Sequence, residues 1–248
     1  MNLPEVKMTD TVKLKINQQE IECDKDLTIL QAAKSVGVTI PTICYHDHCT
    51  SNALCRICVV EVKGARTLVA SCVAKVSEGM EVETYNERVN RSRKTILEMM
   101  LSTSDLSQSP ELLEMASEYG ANNDRFGDAE RRSPSLIDDN SMFVRDYEKC
   151  ILCWRCVQVC AEDAQYAFAI NFKGRGYHTQ ISTFYEKPLP ESSCVFCGQC
   201  IGVCPTEALK PKRQWLLELG YESDQIMQMT RNERNKKTKK PQTSSVVK

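Results

Sequence analysis

Cys150-Ile151-Leu152-Cys153-Trp154-Arg155-Cys156-Val157-Gln158-Val159-Cys160 reads C-x2-C-x2-C-x3-C, and Cys194, Cys197, Cys200 and Cys204 repeat that spacing, with Pro205 directly after. Three thiolates so closely spaced grip three irons of one cubane from a single loop. The fourth cysteine opens a segment that leads away, so it reaches the neighbouring cube. The pattern therefore assigns Cys150, Cys153, Cys156 and Cys204 to one [4Fe–4S] cluster. Cys194, Cys197, Cys200 and Cys160 go to a second. Crossed ligation forces the two cubes close together, as electron relay requires. The competing reading is a pair of structural zinc sites. Zinc favours two C-x2-C pairs per ion, separated by a longer loop. Two runs of four cysteines within eleven residues fit that poorly. Ala161 stands where the first run often has Pro, and Trp154 sits inside it, but neither removes a ligand.

The rest of the composition agrees with a metal-binding chain. Its 248 residues hold 14 cysteines but 3 histidines, so thiolate must do nearly all the ligation. Lys and Arg number 32 against 33 Asp and Glu, a net charge of -1 that excludes a generic nucleic-acid binder. Hydrophobic residues at 42% and charged residues at 26% suit a soluble globular protein. Met1 to Asp10 has no apolar core of a secretory signal, and no stretch is long enough to span a membrane. A cytoplasmic location is therefore expected. In that compartment so much cysteine points to metal rather than to disulfides.

Six further cysteines lie between Cys23 and Cys72. The surrounding residues read as a small α+β unit. Val12, Leu14 and Ile16 alternate with polar residues, as do Ile21 and Cys23, and Asn17-Gln18-Gln19 marks a hairpin turn. Thr28 and Gln31 form a capping box before a helix over Ile29 to Ser35, which Gly37 ends. Val59 to Val62, Leu68 to Ala70 and Met80 to Glu83 read as strands. Two strands, a helix, a ligand loop and more strands fit a β-grasp fold. Cys44-x10-Cys55-x2-Cys58-x13-Cys72 supplies four thiolates for a [2Fe–2S] rhombus, three from one loop and one from a later strand. Cys49 offers an alternative, C-x5-C-x2-C with Cys55 and Cys58. Cys23, on a strand, reads as a buried apolar thiol. His46 and His48 flank Asp47 beside this loop and read as polar surface.

Residues 87–119 read as helical, with Val89, Ile96, Leu97, Met100 and Leu101 on one face. Ser109-Pro110-Glu111 starts a second helix, with Leu112, Leu113, Met115, Ala116 and Tyr119 following. Residues 120–141, rich in Gly, Asn, Asp, Ser and Pro, read as a linker. Between the two cysteine runs, Phe168 to Ile170 and Thr179 to Ile181 read as strands around Gly174-Arg175-Gly176. After Cys204, Trp215, Leu216, Leu217, Leu219 and Tyr221 form either a docking helix or one packed on its own domain. From Arg231 a solvated, disordered tail is expected.

Longer stretches of the chain resemble a known family. Ile40-Pro41 before Cys44, and Cys55-Arg56-Ile57-Cys58-Val59-Val60-Glu61-Val62, are similar to the N-terminal [2Fe–2S] domain of the large iron–sulfur subunit of respiratory complex I. Iron-only hydrogenases and some NAD-linked formate dehydrogenases open with the same domain. The resemblance continues through Asn123-Asp124-Arg125-Phe126-Gly127, Arg145-Asp146 and Lys149-Cys150-Ile151-Leu152-Cys153 to Cys194-Val195-Phe196-Cys197-Gly198-Gln199-Cys200. It covers residues 11–210 and looks most like the electron-transfer module of the formate dehydrogenase catalytic subunit. It favours Cys44, Cys55, Cys58 and Cys72 as the [2Fe–2S] ligands. The chain departs from it twice. The family usually holds a third cluster with one His and three Cys, whereas Leu101 to Tyr119 contains neither residue type. The 44 residues after Cys204 are also too few for the large catalytic domain that follows in relatives.

The expected layout is thus an α+β chain. A β-grasp [2Fe–2S] ferredoxin-type domain spans 11–86 and a helical segment 87–119. A linker at 120–141, a two-[4Fe–4S] bacterial ferredoxin-like domain at 142–210 and a tail at 211–248 follow. No P-loop or dinucleotide-binding fingerprint is present, so a catalytic site of its own is not expected. The resemblance implies a non-catalytic iron–sulfur subunit of a soluble hetero-oligomeric oxidoreductase. Its partners would be a flavin- and NAD(P)-binding subunit and another redox subunit, of formate dehydrogenase, hydrogenase or bifurcating transhydrogenase type. A free-standing ferredoxin-like carrier and a zinc-stabilised interaction scaffold are the alternatives.

Overall fold

A computed structural model describes residues 10–238. They divide into two compact units. One runs up to Arg131 and takes in Cys153–Arg155; the other comprises Arg132–Leu152 and the chain from Cys156 onward.

The first unit begins with a hairpin of β1 (Thr11–Ile16) and β2 (Gln19–Asp24), paired antiparallel from Thr11↔Asp24 to Ile16↔Gln19. Asn17 and Gln18 turn the chain with φ of 48° and 70°, the left-handed conformation that suits hairpin twist. The Asn17 side chain also donates to Thr84 Oγ1 at 2.7 Å and accepts from the Thr84 amide at 2.8 Å. Next comes α1 (Ile29–Ser35), opened by the full capping box: Thr28 Oγ1 accepts from the Gln31 amide and Gln31 Oε1 from the Thr28 amide. Then β3 (Val59–Val62), β4 (Val69–Ala70) and β5 (Glu81–Glu83) complete a sheet ordered β2-β1-β5-β3-β4. Only β1 and β5 pair parallel in it. This is the expected β-grasp. Its core joins Leu14, Ile16, Ile21, Val60 and Val82 of the sheet to Ile29, Ala32 and Ala33 of α1. Each fully buried aliphatic side chain there contributes about 1.5–3 kcal/mol.

The helical segment follows. Asn86 caps α2 (Glu87–Thr103), its Oδ1 accepting from the Val89 amide at 2.9 Å. Val89, Arg93 and Leu97, four residues apart, form the buried stripe that packs on β3. Then α3 (Pro110–Glu118) starts at its proline and buries Leu112 and Ala116. Ser104, Leu106 and Ser109 are buried in the connection between the two helices.

The second unit is organised by β6 (Phe143–Arg145), α4 (Arg155–Cys160), the hairpin β7 (Ile170–Lys173) and β8 (Gln180–Thr183), and α5 (Gln199–Gly202). After them come β9 (Leu209–Pro211), α6 (Lys212–Glu218) and α7 (Ser223–Thr238). β6 pairs antiparallel with β9, Phe143↔Pro211 to Arg145↔Leu209, closing the unit across both cysteine runs. Three buried cations stabilise that closure. Arg145 pairs with Asp139 at 2.5 Å, Lys210 with Glu207 at 2.6 Å and Glu218 at 2.7 Å, and Lys212 with Asp138 at 2.6 Å. Asp139 also accepts from the Leu189 amide at 2.8 Å.

The second unit differs from the sequence expectations in four places. Asp138 and Asp139 fall in the stretch read as a linker, yet their ion pairs and the Ile137–Arg145 bridge fasten its end to this unit. The hairpin starts at Ile170 rather than Phe168, because Phe168 is left-handed at φ 49°. In the region read as a docking helix or one packed on its own domain, α6 ends at Glu218; Leu216 is buried while Leu217, Leu219 and Tyr221 are exposed. Helix α7 continues through Arg231 to Thr238, anchored by buried Ile226 and Thr230, so the disordered tail does not begin at Arg231. Its remaining expected span, 239–248, lies outside the described residues. No helix among the described residues is long and apolar enough to cross a membrane.

Removing the carboxylate beside Arg145, whose side chain is 3% exposed, strands a buried cation. Asp139→Ala is therefore expected to cost about 3 kcal/mol. A lowered urea-unfolding midpoint with an unchanged slope would register it; an unchanged midpoint would show that Arg145 does not depend on Asp139.

Candidate metal centres

The long connection between α1 and β3 carries Cys44, Cys49, Cys55 and Cys58, and Cys72 follows β4. The structure brings four of these five into two adjoining pairs. The Cys44 amide donates to Cys55 Sγ at 3.4 Å and the Cys55 amide to Cys44 Sγ at 3.5 Å. The thiols of Cys44 and Cys55 hydrogen-bond each other, as do those of Cys58 and Cys72. Accepting that bond holds Cys44 and Cys58 below the ordinary thiol value. Donating it, together with burial, holds Cys55 and Cys72 above it. The charge of Cys44 also acts, as a smaller effect, on Cys58 and Cys72. Ser71, fully buried, fixes Cys58 by donating its hydroxyl to the Cys58 carbonyl at 2.7 Å. Four crowded sulfurs with amides turned toward them form a donor set that fits a four-thiolate [2Fe–2S] cluster.

The neighbouring candidates sit differently. Cys49 lies in a turn, its amide donating to the His46 carbonyl at 3.0 Å. Cys23 is half-buried against the core, and that burial, with the charge of Asp24, raises its thiol. His46 and His48 approach to 5.4 Å between ring centres, and the His48 amide donates to His46 Nδ1 at 3.2 Å. Burial pushes His46 down from the ordinary imidazole value.

The two later cysteine runs repeat each other's backbone turns. Leu152 and Phe196, two residues after the first cysteine of each run, have φ of 57° and 56°. Trp154 and Gly198, one residue after the second cysteine, have φ of 74° and 78°. These left-handed residues turn amides onto sulfur: Leu152 N donates to Cys150 Sγ and Phe196 N to Cys194 Sγ, both at 3.4 Å. Sequence reasoning missed them, and Gly198 alone of the four carried a signal.

Electrostatics group the sulfurs across the runs. Burial pushes the Cys150 thiol up to about 11, with the charge of Cys204 adding to it. Burial pushes Cys200 up to about 12, with Cys160, Cys197 and Cys194 adding. Cys194 is raised by burial and then by Cys160 and Cys197. The charge of Cys160 thus acts on the 194–200 run and that of Cys204 on Cys150. Cys160 Sγ accepts from the Ala169 amide at 3.3 Å, and Cys204 Sγ lies 3.9 Å from Thr206 Oγ1. Cys156 is buried, Cys197 is exposed, and Cys153 falls in the short stretch grouped with the first unit. Among the described residues no three His, Cys, Asp or Glu side chains close on a single point. A cluster spreads its thiolates over several irons instead.

Comparison with known proteins matches both regions. Residues 9–87 match the 2Fe-2S iron-sulfur cluster binding domain, and residues 149–208 the 4Fe-4S dicluster domain. The chain is 36% identical over 194 residues to the NADP-reducing hydrogenase subunit HndD of Solidesulfovibrio fructosivorans, covering 73% of this chain and 33% of that one. It is 31% identical over 209 residues to the mitochondrial NADH-ubiquinone oxidoreductase 78 kDa subunit of Candida albicans, covering 81% and 28%. The chain therefore spans about a quarter to a third of these relatives. A chain in the crystal structure of NAD+-reducing [NiFe]-hydrogenase in the H2-reduced state superposes with a TM-score of 0.73 at 25% identity. That match covers 81% of this chain and 87% of the other.

Gly198 has open space where a Cβ would lie, so substituting it tests backbone strain alone. Gly198→Ala is expected to cost about 1 kcal/mol, and Gly198→Asn less, because Asn tolerates the left-handed region. Denaturant midpoints of the two variants measure this; equal midpoints for wild type and Gly198→Ala would show that the turn carries no strain.

Proposed function

We propose, from the match to the 2Fe-2S iron-sulfur cluster binding domain and the match to the 4Fe-4S dicluster domain, that the chain is an electron-transfer subunit of a multi-subunit NAD(P)-linked oxidoreductase. The observation that carries this reading is the gathering of far-separated thiols, Cys44 with Cys55, Cys58 with Cys72, Cys150 with Cys204, and Cys160 with the 194–200 run. Cys44, Cys55, Cys58 and Cys72 would hold one [2Fe–2S] cluster in a domain at 11–86. Two [4Fe–4S] clusters would lie in a domain at 142–210, one on Cys150, Cys153, Cys156 and Cys204, the other on Cys194, Cys197, Cys200 and Cys160. When bound, such clusters supply one-electron transfer. The protein's own part is to exclude water, turn amides onto sulfur and fix the spacing.

A counterpart of similar extent supports a subunit role: the module matches nearly the whole of one chain in the NAD+-reducing [NiFe]-hydrogenase. The partners proposed are a flavin- and NAD(P)-binding subunit and a further redox or catalytic subunit, in the cytoplasm. Anaerobic purification from the source cells tests this. Co-elution with a flavoprotein in fixed ratio is expected, whereas a brown monomer would establish a diffusible carrier instead.

Full loading predicts about ten irons per chain and as many acid-labile sulfides, two from the rhombus and four from each cubane. Zinc in place of iron and sulfide would overturn the proposal. Cys44→Ser is expected to remove the [2Fe–2S] electron paramagnetic resonance signal and leave the cubane signals. Loss of that signal in Cys49→Ser, with Cys44→Ser intact, would reassign the ligand set to Cys49.

A further inference from the structure

Four basic side chains are buried among the described residues, and one of them is unlike the others. Arg145, Lys210 and Lys212 each have a carboxylate partner. Arg93 is 2% exposed on α2. Its Nε donates to the Ile57 carbonyl at 3.1 Å and its Nη2 to the Val59 carbonyl at 2.9 Å. Its Nη1 donates to Tyr119 Oη at 2.9 Å, and the Tyr119 ring centre lies 5.7 Å from the guanidinium carbon. No carboxylate is among these partners. They satisfy its hydrogen bonds but bring no opposite charge.

A guanidinium is a permanent charge. Burying it without a counter-charge is costly. The two carbonyls that it holds flank Cys58 on either side. Four thiolates make a [2Fe–2S] site net negative, and reduction adds one electron without breaking a bond. We propose that Arg93 is a positioning residue for the Cys58 loop whose fixed charge also answers the charge of the cluster, favouring its reduced form. The inference rests on the proposed [2Fe–2S] ligation by Cys58. Inside the unit the low dielectric and poor access of salt let the charge act across the loop.

The test is a redox titration of the [2Fe–2S] resonance signal in the full, cluster-loaded chain. Arg93→Gln removes the charge and Arg93→Lys keeps it. A lower midpoint potential in Arg93→Gln is expected, with Arg93→Lys close to wild type and the cubane signals unmoved. A wild-type potential in a loaded Arg93→Gln, or the same downward shift in both variants, would overturn the proposal. If Arg93→Gln fails to take up the cluster, Arg93→Lys decides. A wild-type potential in it supports a role for charge, and a missing or shifted signal shows that only the shape of the guanidinium matters. Absence of a [2Fe–2S] signal from wild type would instead refute the ligation on which the inference stands.

Discussion

Two cysteines separated by two residues can present both sulfurs to one side only if the backbone between them turns sharply. In this protein a left-handed residue makes that turn in each such spacing. Arg56 does so between Cys55 and Cys58, Leu152 and Trp154 in the first cubane-type run, and Phe196 and Gly198 in the second. Four of these five carry a Cβ, and each then costs on the order of 1–2 kcal/mol. The conformation persists because the surrounding structure holds it and because it aims amides at sulfur. Such amide contacts stabilise a thiolate. The remaining architecture serves as a frame for these strained loops.

The two units frame them by different physics. In the first, a hydrophobic β-grasp core sits beneath the cysteine loop, and Ser71 and Arg93 hold the carbonyls around Cys58. In the second, besides buried apolar residues such as Phe143, Val144 and Leu209, buried cations paired with carboxylates lie along β6, β9 and α6. Pairs of this kind are geometrically demanding, so they fix one arrangement where bulk burial would permit several.

Legibility in the sequence followed the range of the interactions. The β1–β2 hairpin, α1 and β3 are set by local alternation, a capping box and a turn, and were readable almost to the residue. The β6–β9 ladder was not. It is three residues long on each side, includes Lys210 and Pro211, and owes its existence to partners 64 or more positions away. The carboxylates beside it, Asp138 and Asp139, looked like linker because their surroundings are polar; Asp139 meets buried Arg145 of β6, and Asp138 meets Lys212 from the far end of the unit. At the proposed metal centres, cysteine spacing suggested the two crossed groupings but left Cys44 and Cys49 as alternatives, between which only the family resemblance chose. The left-handed turns stayed hidden because Leu152, Trp154 and Phe196 have no turn preference of their own. The role of Arg93 was equally invisible, since one arginine among the charged residues of α2 reads as a solvated face.

The antiparallel pairing of Phe143–Arg145 with Leu209–Pro211 has a modular consequence. It sets the entrance and exit of the cubane-bearing segment side by side at one edge. A segment whose ends meet can be spliced into a longer polypeptide, or joined to different neighbours, as a self-contained cassette.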